Sequence, residues 1–88
     1  MLSDALVVAG DFNCTPFSPA FRAIRRGLHS ATRFARTWPA RAPFAPIDHI
    51  LYRGPLRVVR AGAWTAAGAR RASDHLPVVA ELEPAEVV

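Results

Sequence analysis

The chain has 88 residues, about half of them hydrophobic, and carries its positive charge on eleven arginines and no lysine against seven acidic residues, a formal net charge of +4. That length allows one modest core, burying about two-thirds of the unfolded surface. The apolar content excludes a disordered chain, and the single Cys14 excludes an intrachain disulfide framework or a cysteine-rich zinc site.

An arginine-only positive charge suits a phosphate-bearing partner, because guanidinium forks match phosphate oxygens in a bidentate way. On composition alone, an arginine-rich surface written by a GC-biased genome is the plainer account. Eight prolines and five glycines cut the apolar segments into short pieces and favour strands and loops. Residues 5 to 9 form a continuous apolar run that predicts a buried strand. The run is too short for a spanning helix or a signal core, and Asp4 stands where a signal peptide wants positive charge. The expectation is a chain with no membrane segment, in the cytoplasm by default.

Gly10-Asp11-Phe12-Asn13 follows, placing a carboxylate and a carboxamide two residues apart at the strand's end. Strand alternation turns Asp11 and Asn13 to one face. Ser18 then reads as an N-cap with Pro19 at the first helical position, and Gly27 ends the helix. Phe21, Ile24 and Leu28 form its apolar stripe, opposite Arg22, Arg25 and Arg26, for a short amphipathic helix covering a sheet. Residues 31 to 36 read as a ragged strand, and 37 to 46 as an extended proline-rich loop.

A strand is expected over 47 to 52, closed by a turn at Arg53-Gly54-Pro55. A second over 56 to 63 is expected to pair antiparallel with it across that short link. Residues 65 to 73 read as a small-residue loop containing arginines. In the last strand, 77 to 83, Val78, Ala80 and Leu82 alternate with Val79, Glu81 and Glu83. Pro84 ends it, and 85 to 88 is a frayed tail. The pattern is α+β, with no internal domain boundary.

Three polar pieces stand at strand ends or inside apolar strands: Asp11 with Asn13, Asp48, and Asp74 with His75. A carboxylate between Ile47 and Ile50 needs a partner, and His75, opening the last strand, is the natural one. Such a pair fixes the imidazole tautomer and favours its protonated form. Taken singly, each piece has a plainer use: Asp11 and Asn13 as an Asx turn, Ser73-Asp74 as a turn, Asp48 and His75 as a structural pair. His49, of opposite parity to Asp48, reads as packing or surface, and Cys14 as a small buried side chain rather than a thiol nucleophile. Trp38, Phe44 and Tyr52 could stack on a base or line a substrate groove, but in a chain this small an aromatic reads first as core.

Together, Gly-Asp-Phe-Asn at 10 to 13, Ile-Asp-His-Ile-Leu at 47 to 51 and Ser-Asp-His-Leu-Pro-Val-Val at 73 to 79 resemble the three C-terminal signature blocks of the endonuclease/exonuclease/phosphatase superfamily. The Thr-Pro-Phe-Ser-Pro and Thr-Trp-Pro linkers look most like those of bacterial members. The resemblance spans about residues 5 to 83. It implies the C-terminal part of a DNase I-like α/β-sandwich, mainly short antiparallel strands plus one short helix, over 1 to 83, with 84 to 88 a tail.

By that resemblance the chain is a hydrolase of phosphoric esters that uses Mg²⁺ or Mn²⁺ and in-line water attack. Asp11 would orient and deprotonate the water, Asn13 would donate to a phosphate oxygen, and Asp74 would ligate the metal. His75, held by Asp48, would stabilise the transition-state charge. Arg70 and Arg71 are candidate phosphate contacts.

The family's metal-anchoring Glu lies in its N-terminal half, and no Glu precedes Glu81 here. A C-terminal fragment is therefore expected, weakly active or inactive alone, partnered by the missing N-terminal half and prone to self-association. Nucleic acid is one candidate substrate. The competing readings are a non-catalytic, arginine-rich nucleic-acid- or partner-binding remnant and a thiol hydrolase built on Cys14.

Overall fold

The apolar run becomes a strand that continues through the first polar motif. In the computed structural model, which describes residues 5–66 and 68–85, β1 spans Leu6–Asp11. After it come α1 (Pro19–Ile24), β2 (His29–Ser30), β3 (Asp48–Arg53), β4 (Leu56–Ala63), α2 (Ala69–Ala72) and β5 (Val78–Pro84). The fold is short antiparallel strands with a short helix, as expected, and one further helical turn in α2.

Helix α1 starts where the sequence says it should. The Ser18 hydroxyl accepts from the Phe21 amide at 3.0 Å, and Pro19 occupies the first turn, where no amide is needed. The helix ends before the Gly27 turn, whose φ of +77° suits a residue without Cβ. Its grip on the sheet is narrower than the stripe implies: Phe21 is buried, whereas Ile24 remains 47% exposed.

Two separate sheets replace the single ladder expected of 47 to 63. Strand β3 is central in a three-stranded sheet of order β1-β3-β2, while β4 pairs with β5 in a two-stranded one. With both edges of β3 already taken, β4 has no place beside it, and the turn at Gly54 and Pro55 carries the chain out of the sheet. The β4–β5 ladder runs from Ala63↔Val78 to Leu56↔Pro84, with an irregularity between Val58 and Arg60. Arg57 with Glu83 and Arg60 with Glu81 decorate its exposed side. Pro84 thus closes the ladder, and the Ala85 amide donates to the Pro55 carbonyl at 2.8 Å; 86 to 88 of the expected tail lie outside the described residues.

Other differences are local. The third strand is His29–Ser30 rather than 31 to 36, because Thr32 to Ala35 closes a turn, and the Thr32 hydroxyl takes the Ile50 amide at 3.2 Å. Within the expected loop 65 to 73, α2 forms one helical turn whose Ala69 packs with Ala40 and Leu76. β1 was expected to be buried, yet Leu6 and Val7 are 39% and 50% exposed, since β1 is the edge of its sheet. Trp38 and Phe44 also lie at the surface rather than in the core. No helix among the described residues is long and apolar enough to cross a membrane.

The Asp74 to Leu76 segment reaches the first sheet through the loop after Thr37. Ala40 N–H donates to the Asp74 carbonyl at 2.7 Å, and Leu76 N–H to the Thr37 carbonyl at 2.8 Å. These bonds bring the start of β5 to the end of β3 that carries Asp48.

Candidate active site

The register of β1 on β3 sets Asp11 directly opposite Asp48. Opposed residues of an antiparallel pair share a face, and two like charges placed so destabilise the pair. The structure places an imidazole between them. His75 donates its Nδ1–H to Asp48 Oδ2 at 2.8 Å, and its Nε2 stands 3.7 Å from Asp11 Oδ2.

Three hydrogen bonds fix the parts. Asp48 Oδ2 also accepts the Thr37 hydroxyl at 2.5 Å, and Thr37 is fully buried. Asp11 Oδ1 accepts the Asn13 amide at 2.8 Å, which leaves Oδ2 on the His75 side. Because a carboxylate only accepts, Asp48 assigns the Nδ1 proton, and any proton gained by the ring sits on Nε2. The pKa of His75 is raised, chiefly by its hydrogen bond to Asp48 and further by the charges of Asp48, Asp11 and Asp74; partial burial opposes the rise.

The remaining candidates are placed differently. Asn13 is exposed and has a φ of +51°, because the strand stops at Asp11. A left-handed turn therefore positions it, not strand alternation, and asparagine tolerates that conformation well. Asp74 lies outside the Asp11, Asp48 and His75 group. It borders, with Arg71, Arg41 and Ser73, a cleft of about 540 Å³, and directly precedes His75 in the chain. Arg70 is in α2, with its side chain outside the described residues.

The sequence does not single out Thr37, and it leaves open which of two places His49 takes. Thr37 had been absorbed into the loop, although a lone hydroxyl ahead of Trp-Pro is a usable signal for a buried partner. His49, expected as packing or surface, is fully buried against Phe21, with ring centroids 4.3 Å apart. Its Nε2–H donates to the Cys14 carbonyl at 2.8 Å, tethering the loop that follows Asn13, while Nδ1 has no partner. Cys14 is half-buried and meets His49 through its backbone rather than its thiol.

Asp11, Asp48 and His75 each present an atom within 4.8 Å of the others, a group that could hold a metal ion. The hydrogen bonds decide how. Asp48 Oδ2 and His75 Nδ1 are committed to each other, so the dyad is a poor cage for a hard cation. The half-exposed carboxylate of Asp11 does fit Mg²⁺ or Mn²⁺, which take oxygen ligands.

A histidine oriented by one aspartate and facing another thus stands at the end of short antiparallel strands. The model of the Endonuclease/Exonuclease/phosphatase family matches residues 2–75, and the chain belongs to that family. The crystal structure of the endonuclease/exonuclease/phosphatase from Bacteroides vulgatus is similar, with a TM-score of 0.75 and 25% identity over 92% of this chain. This chain spans 37% of that protein's length. No curated protein matches it.

Proposed function

We propose that the chain carries part of the active site of a metal-dependent phosphodiesterase of nuclease type, in a bacterial cytoplasm, with residues 1 to 83 the C-terminal portion of the domain. The observation that carries this reading is His75, gripped by Asp48 at 2.8 Å with Nε2 turned toward the Asp11 carboxylate.

Asp11 is the base. Its Oδ1 is anchored by the Asn13 amide, so Oδ2 can orient a water for in-line attack on phosphorus and take its proton. Asp48 raises the pKa of His75, and the protonated ring donates Nε2–H to a non-bridging oxygen as charge develops there. The Asn13 carboxamide donates to a second oxygen, a role that a carboxylate would oppose by repulsion. Arg70 and Arg71 receive flanking phosphates. Asp74 would supply an oxygen ligand to Mg²⁺ or Mn²⁺, which when bound would neutralise charge on the phosphoryl group. Turnover by this chain alone is expected to be weak, because the metal-anchoring Glu that the family carries in its N-terminal half is not among these residues.

The test is hydrolysis of a generic phosphodiester with added Mg²⁺, by this chain alone and by the chain joined to the remainder of a family domain. In the joined protein, Asp11→Asn and His75→Ala should each lower the rate about 10²- to 10⁴-fold, and EDTA should abolish it. Full activity in Asp11→Asn overturns the role given to Asp11.

A further inference from the structure

Two clefts of about 360 Å³ and about 380 Å³ adjoin one another by sharing Phe34. Phe17 and Phe34 stack across the surface with ring centroids 5.3 Å apart and planes at 27°, yet they remain 74% and 54% exposed. Phe44, 65% exposed, lines the second cleft beside Arg36, and Arg25 and Arg33 line the first. Among the described residues, no acidic one lines either cleft.

Aligned aromatic faces left open to water, flanked on both sides by guanidinium groups, are complementary to flat rings joined by negative charges. We propose that this surface is a stacking platform for unpaired nucleobases, so that the strand engaged by the chain is single-stranded nucleic acid. The proposal rests on the phosphodiesterase reading and deepens it to a substrate class.

The platform is connected to the site by short stretches of chain. Phe17 follows Asn13 by four residues, a reach of at most about 14 Å. Arg36 adjoins Thr37, the residue bonded to Asp48, and Pro46, also in the second cleft, precedes Asp48 by two. A base seated on Phe17 and Phe34 would thus belong to a nucleotide near the one presented to His75. Arg36 on one side and Arg33 and Arg25 on the other are placed for the adjacent phosphates. Stacking tolerates any base, because each offers a π-face.

The experiment measures binding of a fluorescent single-stranded oligothymidylate to the 88-residue chain in EDTA, where no hydrolysis intrudes. An abasic strand of equal length and charge should bind about 5- to 100-fold more weakly than oligothymidylate, and Phe34→Leu, with circular dichroism unchanged, should lose affinity for oligothymidylate by a similar factor. Arg36→Gln should lower the slope of log affinity against log salt by about 0.7. Equal affinity for the abasic strand overturns the platform, as does absence of binding, or Phe34-dependent binding to phosphatidylserine vesicles in place of the oligonucleotide. Base-dependent binding in a protein that hydrolyses no diester, even when joined to the remainder of the domain, supports the platform and overturns only the hydrolase reading.

Discussion

His75 sits between two carboxylates that the strand register forces together, and its proton is the element that reconciles them. Its raised pKa means that the folded protein binds this proton more tightly than the unfolded chain does. The corresponding stability is fully present below the unfolded histidine value of about 6.5 and is lost as pH rises through the higher folded value. Asp48→Asn keeps an acceptor for Nδ1–H but removes the charge. An NMR titration of the His75 ring should show the pKa falling toward the ordinary value, and the loss of stability above about pH 6.5 should flatten with it. An unchanged titration would show that Asp48 does not hold the proton. The Asp48–His75 pairing was legible in the sequence because a carboxylate in an apolar strand requires a partner. The placement of Asn13 was not, because alternation was carried past a strand end that the Asp11 to Asn13 hydrogen bond creates.

Among the elements, α1 and β3 show what local signals can and cannot decide. The cap and proline of α1 act within one turn, so its start was readable residue by residue. Ser18→Ala should cost about 1 kcal/mol in urea unfolding, since it orphans the Phe21 amide. No change in the midpoint would mean that packing of Phe21 alone holds the helix. The neighbours of β3 were not readable in this way, because pairing is settled by competition among strands far apart in sequence. A tight turn after Arg53 suggests a hairpin, but β1 and β2 occupy both edges first. Likewise, His29–Ser30 is a strand only because β3 offers it an edge, and its own residues carry little strand preference.

The molecule as a whole is a thin slab. Its extents are 44 × 31 × 16 Å, and its radius of gyration is 13.7 Å, against about 12 Å for a compact domain of this length. Leu6 and Val7 on β1, Val59 and Val79 on the second sheet, and Trp64 just after β4 are exposed. Apolar strand surface left open in this way favours pairing with further chain. We expect the 88-residue chain to self-associate, with an apparent mass in light scattering that rises with concentration; a cooperative, strictly monomeric unfolding transition in dilute solution would count against this. The opposition of Asp11 to Asp48 has a further consequence, since β1 is an edge strand held by β3 alone. Sliding β1 by one position would set Gly10 against Asp48 and turn Asp11 to the reverse side of the sheet. Docking β1 in the correct frame and bringing Asp11 to His75 are therefore one event, and heat or denaturant that loosens this strand will part the two before the rest of the protein melts.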